Sequence, residues 1–283
     1  MKSYILYISF LITLSTADNI IDVDWDYLIF VERWPITVCI EWHDKNVKNN
    51  CTIPVNNVQW TIHGIWPTKI GTDGPSFCNK AWPFNETKIE KIEDELKQYW
   101  TNIEENTGLI SLWKHEWLKH GTCAATLNLL DNEYKYFNQG LDWVKKYSVG
   151  EILKRKGIVP NNTGYTIQEI NDVLTQELNT TVIIQCVVQA HTKISLISEI
   201  RMCFDKSLNL IGCDFDTLKY LFTDNMMYNY ESSGIFTNCN LKKPVMYLDS
   251  IPRELQEKYD QVDNLEKLIT LYRVIKFLIW YTL

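Results

Sequence analysis

The chain has 283 residues and a formal net charge of −7 at pH 7, and it contains 11 Trp, 15 Tyr and 10 Phe. This length allows one sizeable domain with a buried core, and the aromatic content excludes a disordered polypeptide. The negative net charge argues against a broad basic surface for nucleic acid, so an anionic ligand would need a local positive site.

The first 17 residues have the features of a secretory signal peptide. Lys2 gives a positive start, an apolar run covers Tyr4–Leu14, and residues 15–17 are small as at a cleavage site. The apolar run is too short to cross a bilayer. We therefore divide the chain into a leader at 1–17, a domain at 18–252 and a C-terminal tail at 253–283.

Strands and helices are both predicted along the domain. Alternating or β-branched apolar residues predict five strands, at Thr37–Trp42, Val58–Ile62, Val182–Gln189, Leu196–Phe204 and Val245–Leu248. Helical spacing predicts helices at Glu86–Ile103, Leu112–His120, Leu141–Lys156 (interrupted at Gly150) and Thr166–Leu178, which Thr166 and Glu169 begin as a capping box. This order predicts an α+β fold, with a central antiparallel sheet packed with helices.

One unusual segment lies at Trp60–Pro67, Trp-Thr-Ile-His-Gly-Ile-Trp-Pro. Its period-2 alternation predicts a half-buried strand with His63 on the face opposite Trp60. Gly64 then allows a bend or a close backbone approach. A lone His at a strand end is usually structural, but an aromatic three residues later also suits a cleft for a planar ligand.

A second unusual segment is Trp113–Cys123, Trp-Lys-His-Glu-Trp-Leu-Lys-His-Gly-Thr-Cys. On a helix, His115 stacks over Lys119 and Glu116 over His120, and Gly121 is expected to end the helix. A solvated charged face is the plain alternative. A zinc site is disfavoured, because the protease pattern spaces its His four apart and here the gap is five.

The two segments together resemble the active-site segments of the ribonuclease T2 family, a group of secreted ribonucleases that prefer acid. The resemblance extends over roughly Trp25 to Leu248. It implies the same α+β fold and catalysis by His63, Glu116 and His120, with His120 as general base and His63 as general acid. Family members with a marked base preference often carry Asp two residues after this Trp. This chain has Thr68 there, which leaves the chemistry intact and its base preference open.

The eight cysteines of a chain with a leader indicate four disulfides, for which the sequence alone leaves 105 pairings. The resemblance implies Cys39–Cys51, Cys78–Cys123, Cys186–Cys239 and Cys203–Cys213. Four Asn-x-Ser/Thr sequons mark candidate glycan sites, at Asn50, Asn85, Asn161 and Asn179.

RNA supplies its own nucleophile, because a 2′-hydroxyl lies beside each phosphodiester. Two His can then serve as acid and base, while His115 and Lys119 provide positive donors to the phosphate. Trp66 is the candidate for stacking on a base. We expect a metal-independent, cofactor-free endoribonuclease that leaves DNA intact and gives a 2′,3′-cyclic phosphate, then a 3′-phosphate.

We expect a monomer that works outside the cell or in a lysosome-type acidic compartment. Its pH optimum is expected at about 4–6, since His115 and Lys119 favour neutral His120 and the acidic chain repels RNA at neutral pH. The functional alternative is a secreted binding or toxin-like factor whose effect does not need catalysis.

The tail beyond Pro252 does not match the family pattern. Apolar residues every three or four positions predict an amphipathic helix at Arg253–Tyr272, followed by an apolar stretch at Val274–Leu283 that is too short to span a membrane. The tail could pack on the domain, lie at a membrane surface or have no function, and we rank membrane contact below the other two.

Overall fold

The computed structural model describes residues 23–53, 59–72, 74–108, 110–213, 230 and 232–282. The predicted leader at 1–17 and the expected start of the mature chain near Asp18 lie outside these residues. So does Val58, the first residue of one predicted strand.

A twisted sheet forms the centre of the domain. Its strands are β1 (Tyr27–Arg33), β2 (Thr61–Thr68), β3 (Ile183–Val188), β4 (Ser195–Phe204), β5 (Leu210–Ile211) and β6 (Phe236–Thr237). The strand order is β2-β1-β4-β3-β6, with β5 paired to β4, and every pairing is antiparallel except that of β3 with β6. The predicted α+β fold is confirmed.

Helices surround this sheet. They are α1 (Pro35–Lys45), α2 (Glu93–Tyr99), α3 (Ser111–Glu116), α4 (Thr122–Ala124), α5 (Glu133–Lys146), α6 (Val149–Arg155), α7 (Ile167–Leu178) and α8 (Arg253–Thr282). A π-helical turn at Trp117–Gly121 joins α3 to α4, and short 3₁₀ turns lie at Glu86–Lys88, Glu90–Ile92 and Glu105–Thr107.

Both faces of β1 are buried, so alternation alone could not separate a core face from a solvent face. Leu28 and Phe30 belong to the large core under the helices, whereas Ile29 and Val31 belong to a smaller cluster on the other face. The central strand is thus held from both sides, which gives the side chains of its neighbours fixed positions.

The predicted strand at Thr37–Trp42 is wrong, because these residues lie within helix α1. Pro35 stands in the first turn of that helix, where its missing N–H costs nothing. Ile36 and Ile40 reach the main core while Val38 and Cys39 enter another cluster. Burial on two sides overrides the β-propensity of these side chains.

The predicted helix at Glu86–Ile103 is regular only in α2. Non-helical backbone angles interrupt it at Ile89, between the two 3₁₀ turns, and at Ile92, which ends the second turn. The predicted break at Gly150 falls earlier, where Ser148 accepts a hydrogen bond from the Glu151 N–H and begins α6.

Val245–Leu248 is not a strand, since it contributes only isolated bridges at Val245 and Met246.

Helix α7 and strands β3 and β4 lie where the sequence predicts them, within a residue or two. Both reciprocal bonds of the capping box between Thr166 and Glu169 are present. The four disulfides pair as the resemblance implies. Cys78–Cys123 ties α4, which directly follows the π-helical turn, to the loop that follows β2.

The sequon asparagines Asn50, Asn85 and Asn179 are exposed. Asn161 is half-buried, and its side-chain amide donates to the Tyr165 hydroxyl at 2.6 Å. Glycosylation stays a prediction at all four positions.

Helix α8 covers the predicted amphipathic segment and continues to Thr282. It packs on the domain through Leu255 and Tyr259, in its first two turns. None of the helices that the structure describes combines the length and the apolar character needed to cross a membrane.

Glu32 is a buried carboxyl in the middle of β1, without a hydrogen bond of ordinary geometry among the described residues. Burial raises its pKa well above the ordinary value, and the nearby backbone amide of Val149 offsets this only in part. A raised pKa in the folded state gives stability below the unfolded pKa, which is lost as the pH rises.

We therefore expect Glu32→Gln to raise the melting temperature at pH 7, where the wild type keeps a proton that the unfolded chain releases. The gain should shrink near pH 4.5, since the unfolded chain then also holds the proton about half of the time. Thermal unfolding at the two pH values measures this, with the exposed Glu90→Gln as control. A gain that is equal at both pH values would contradict the assignment.

Candidate active site

His63 lies at a bulge in β2. In the pairing with β1, Val31 is opposite Gly64 and Glu32 is opposite Ile62, so the register skips His63. Such bulges re-aim a side chain and are common beside active sites. The free carbonyl of His63 accepts a hydrogen bond from Trp100 Nε1 at 2.9 Å. This bond fixes the backbone that carries the imidazole.

Glu199 on β4 faces the His63 imidazole. Its Oε1 is 2.6 Å from His63 Nδ1, and its Oε2 accepts from Arg201 Nε at 2.9 Å and Nη2 at 2.7 Å. Although burial opposes ionisation, the charge of Arg201 and the bond from His63 lower the pKa of Glu199 to about 2. A carboxylate only accepts hydrogen bonds, so Nδ1 carries the proton and Nε2 is left for a ligand.

Sequence reasoning missed Glu199 and Arg201. The available signal was a pair of opposite charges two residues apart in a strand that is otherwise largely apolar, since such residues share one face. A second bulge, where the register of β3 and β4 skips Ser198, lies directly before Glu199. Neither bulge has a pattern that the sequence alone would show.

The predicted catalytic helix is present, but it does not end at Gly121. The chain continues through the π-helical turn into α4, and Gly121 has an ordinary helical φ of −60°. A Cβ on this residue would lie 2.3 Å from the Trp117 ring, so the glycine serves close packing rather than helix termination. π-Helical turns often occur at functional sites, and this one carries Lys119 and His120.

Glu116 lies buried at the end of α3, and its Oε2 accepts a hydrogen bond from Trp66 Nε1 at 2.9 Å. Burial raises the pKa of this carboxyl, although His63 and the Trp66 bond act in the opposite direction. A Cβ at Gly64 would lie 2.1 Å from the same oxygen and 2.2 Å from Trp66 Nε1. The bond between Glu116 and Trp66 therefore requires glycine at position 64.

His120 stacks on the Trp66 indole, with ring centroids 5.4 Å apart, and His63 meets the same indole edge-on at 5.1 Å. The Nδ1 of His120 is buried and has no hydrogen-bond partner among the residues that the structure describes, so Nε2 is the nitrogen that can reach a ligand. Burial, then the charges of Lys119, His115 and His63, lower the pKa of His120 to about 3. His120 is therefore a neutral imidazole over most of the pH range.

Lys119 and His115 are the positive donors predicted for a phosphate, and both act on the charge of His120. Burial and then Lys119 also lower the pKa of His115. The Lys119 carbonyl accepts from the Phe77 N–H at 2.9 Å, and the Phe77 ring meets His115 edge-on. Phe77 precedes the disulfide cysteine Cys78, so that bridge also holds the basic side of the site.

Trp66 is the centre of this cluster. Besides both imidazoles and Glu116, the Arg201 guanidinium lies 5.2 Å from the centre of its ring. The indole is half-buried, and its predicted stacking on a base stays a prediction. A cavity of about 450 Å³ opens beside His63 and is lined by charged side chains of both signs, among them Arg33, Glu41, Lys45 and Glu104.

Within the part of the chain that the structure describes, one group of His and Cys side chains is close enough to hold a metal ion, namely Cys39, His43 and Cys51. The two cysteines are joined in a disulfide, so they offer no thiolate. The group is also separate from His63 and His120.

Comparison with known proteins agrees with this geometry. The sequence profile described as Ribonuclease T2 family matches residues 25–213. Ribonuclease Oy of Magallana gigas is 41% identical over 194 residues, which cover 68% of this chain and 88% of that protein. Extracellular ribonuclease LE of Solanum lycopersicum is 30% identical over 195 residues, covering 67% and 81%.

The crystal structure of human RNase T2 superposes with a TM-score of 0.61 at 29% identity, over 79% of this chain and 98% of that one. The profile match ends before helix α8.

The environment of His120 can be checked directly. Its NMR signals should stay those of a neutral imidazole between pH 8 and pH 5, because the pKa of about 3 lies well below that range. Lys119→Gln removes one of the charges responsible and should move the midpoint upward, whereas the distant Lys242→Gln should not. A wild-type midpoint near the ordinary value of about 6.5 would refute this account.

Proposed function

The chain belongs to the ribonuclease T2 family and is an endoribonuclease, and from this premise we propose how its own residues cleave RNA. One observation carries the proposal. The imidazoles of His63 and His120 both contact the Trp66 indole, but the charges around them are of opposite sign. His63 donates to the carboxylate of Glu199, whereas His120 is buried beside Lys119 and His115. Sites that run acid and base chemistry together separate the two groups in this way.

In the first step His120 Nε2 removes the proton of the 2′-hydroxyl, whose oxygen attacks the adjacent phosphorus. His63 Nε2 gives a proton to the 5′-oxygen as the bond from phosphorus to that oxygen breaks. The product is a 2′,3′-cyclic phosphate. In the second step the roles reverse: His63 activates water, and His120 protonates the 2′-oxygen to leave a 3′-phosphate.

Lys119 and His115 lie beside His120 and are placed to contact the phosphoryl oxygens, where negative charge increases in the transition state. Glu116 has a raised pKa, so in mildly acidic solution its protonated form can donate a hydrogen bond to the same oxygens. Every group in this scheme comes from the chain itself, and the scheme uses no metal or cofactor.

The nucleoside that carries the leaving 5′-oxygen would lie on the His63 side, facing the cavity lined by Arg33, Lys45, Glu41 and Glu104. We propose single-stranded RNA as the substrate, since a flexible strand can turn its 2′-hydroxyl into line with the leaving group. Trp66 remains the candidate for contact with a base on the other side.

We further propose that the protein acts outside the cell or in a lysosome-type acidic compartment. Three observations support this: the leader-like residues 1–17, four disulfides, and similarity to a tomato ribonuclease that is named extracellular. The disulfides need an oxidising environment to form.

The catalytic pair is tested by His63→Ala and His120→Ala. Each change should lower cleavage of a short RNA by at least ~10²-fold, the usual scale for an acid–base group, while circular dichroism shows a folded protein. Digestion by the wild type should persist in excess EDTA, give cyclic and then 3′-phosphate ends, and leave a DNA of the same sequence intact.

Near-normal activity in the folded His120→Ala protein, or EDTA inhibition that zinc or magnesium reverses, would refute the mechanism. The same variants address the alternative of a binding factor, because a biological effect that survives in His120→Ala does not come from catalysis.

We propose that Glu199 orients the His63 imidazole and places a negative charge beside it. It holds the Nδ1–H of His63, so Nε2 points to the leaving group, and Arg201 keeps Glu199 ionised. The charged and titratable groups around His63 also include Arg33 on β1, Glu41 on α1, and Glu116, His115 and His120 on the catalytic helix.

The pH–rate profile on a short RNA tests this role. The rate should rise as His120 loses its proton near pH 3 and fall at higher pH, where the general acid can no longer donate a proton. Glu199→Gln removes the negative charge, so the falling limb should move to lower pH by roughly one unit or more. Arg201→Gln should move the same limb the other way.

Glu177→Gln breaks a surface pair of the same kind, with Arg155 and Lys156, and is the matched control. A uniform loss of rate in Glu199→Gln, with the falling limb unmoved, would assign Glu199 a merely structural role.

A further inference from the structure

Helix α8 extends away from the domain that packs its first turns. It has 30 residues, which corresponds to a length of about 45 Å. Leu255 and Tyr259 are buried, and the Tyr259 hydroxyl donates to Asp44 at 2.9 Å. Lys48 forms an ion pair with Glu266 at 2.9 Å. From Lys267 onward the helix is exposed.

The exposed part is mostly apolar. Of the large hydrophobic side chains that the structure leaves exposed, more than half lie on α8, namely Leu265, Leu268, Ile269, Leu271, Tyr272, Val274, Ile275, Phe277, Leu278, Ile279, Trp280 and Tyr281. Monomeric proteins rarely expose a continuous apolar surface of this size, and such a surface usually marks an interaction site.

Acidic and basic residues are distributed unequally along α8. Acidic residues occur up to Glu266, whereas residues 267–283 contain Lys267, Arg273 and Lys276 and no carboxylate side chain. The whole chain carries −7, so this positive segment runs against the overall charge. It is complementary to an anionic surface and is unlike the domain to which it is attached.

The apolar residues lie on every side of this segment. Phe277 to Tyr281 are five consecutive apolar residues, which at about 3.6 residues per turn cover the full circumference. A second copy of the helix would cover one stripe, as in a coiled coil, and leave the rest in water. A helix that is apolar all round requires surroundings that are apolar all round.

We propose that the distal part of α8, residues 267–282, inserts into the surface of an anionic lipid bilayer. Its cations would meet the anionic headgroups, and Tyr272, Trp280 and Tyr281 supply the amphipathic rings that favour the membrane interface. The segment is about 24 Å long, which is shorter than the ~30 Å hydrocarbon core, so it docks on one leaflet and does not span.

Insertion would leave the active site open. The acidic residues of α8 end at Glu266, and the negative domain is repelled by the same headgroups that attract the distal cations. The catalytic site, built on β2, β4 and the turn after α3, is separate from this helix. This inference concerns binding alone and does not depend on the proposed catalytic mechanism.

Vesicle flotation of the full chain tests the proposal. The protein should bind vesicles of phosphatidylcholine with 30% phosphatidylserine and stay free with phosphatidylcholine alone. Changing Lys267, Arg273 and Lys276 to Gln should weaken binding roughly 100-fold, the scale for three basic residues near an anionic surface. The matched control changes three exposed lysines of the domain to Gln, namely Lys80, Lys88 and Lys91, and should bind normally.

Leu278→Gln with Trp280→Gln keeps every charge and should also lose binding, because insertion needs the apolar side chains. All of these variants should cleave RNA at the wild-type rate, which shows that they are folded. Equal binding to both vesicle types, or loss of binding in the domain control, would overturn the proposal. Absence of vesicle binding together with a dimer that the double variant abolishes would identify a second copy as the partner.

Discussion

The hydrogen bond from Trp66 Nε1 to Glu116 joins the two segments on which the active site depends. One end belongs to a strand in the sheet and the other to a helix above it, and the two residues are 50 positions apart in the chain. The bond lies over Gly64, where a Cβ would approach both partners to about 2 Å. Once it forms, the indole stacks with the His120 ring and makes a T-shaped contact with the His63 ring. The spacing of the two imidazoles thus follows from one buried contact and one missing side chain.

Around this contact, each ionisable side chain lies beside a different kind of partner. Glu116 is buried with a neutral donor and has a raised pKa, whereas Glu199 is buried with a guanidinium and has a lowered one. His120 is buried near cations and stays neutral. A buried charge is tolerated when it is paired, and an unpaired group becomes neutral instead. Burial favours the neutral form of every group in the site, and the charged partner of Glu199 reverses that effect for this carboxyl alone.

The sequence predicted what depends on local pattern or on complete motifs. The capping box at Thr166, the strands β3 and β4, and the segments containing His63, Glu116 and His120 are examples. It did not predict Glu199, which lies 136 residues from His63 and meets it across strand β1, because that contact depends on strand order and two bulges. The strand predicted at Thr37–Trp42 is a further error. A helix that is buried on two sides is rich in apolar and β-branched residues, as a strand is.

The bulge at His63 also affects how the protein can change through evolution. Since the ladder between β1 and β2 pairs the residues on either side of His63 and skips His63 itself, the sheet gains little from that imidazole. Trp66, Glu116 and Gly64 are different, because each is fixed by close contacts with the others. Substitution at position 63 thus leaves the ladder between β1 and β2 intact and removes one partner of Glu199, which keeps its pair with Arg201. A lineage relieved of selection for catalysis could lose His63 early and retain the scaffold, with its disulfides and its surface, for a different use.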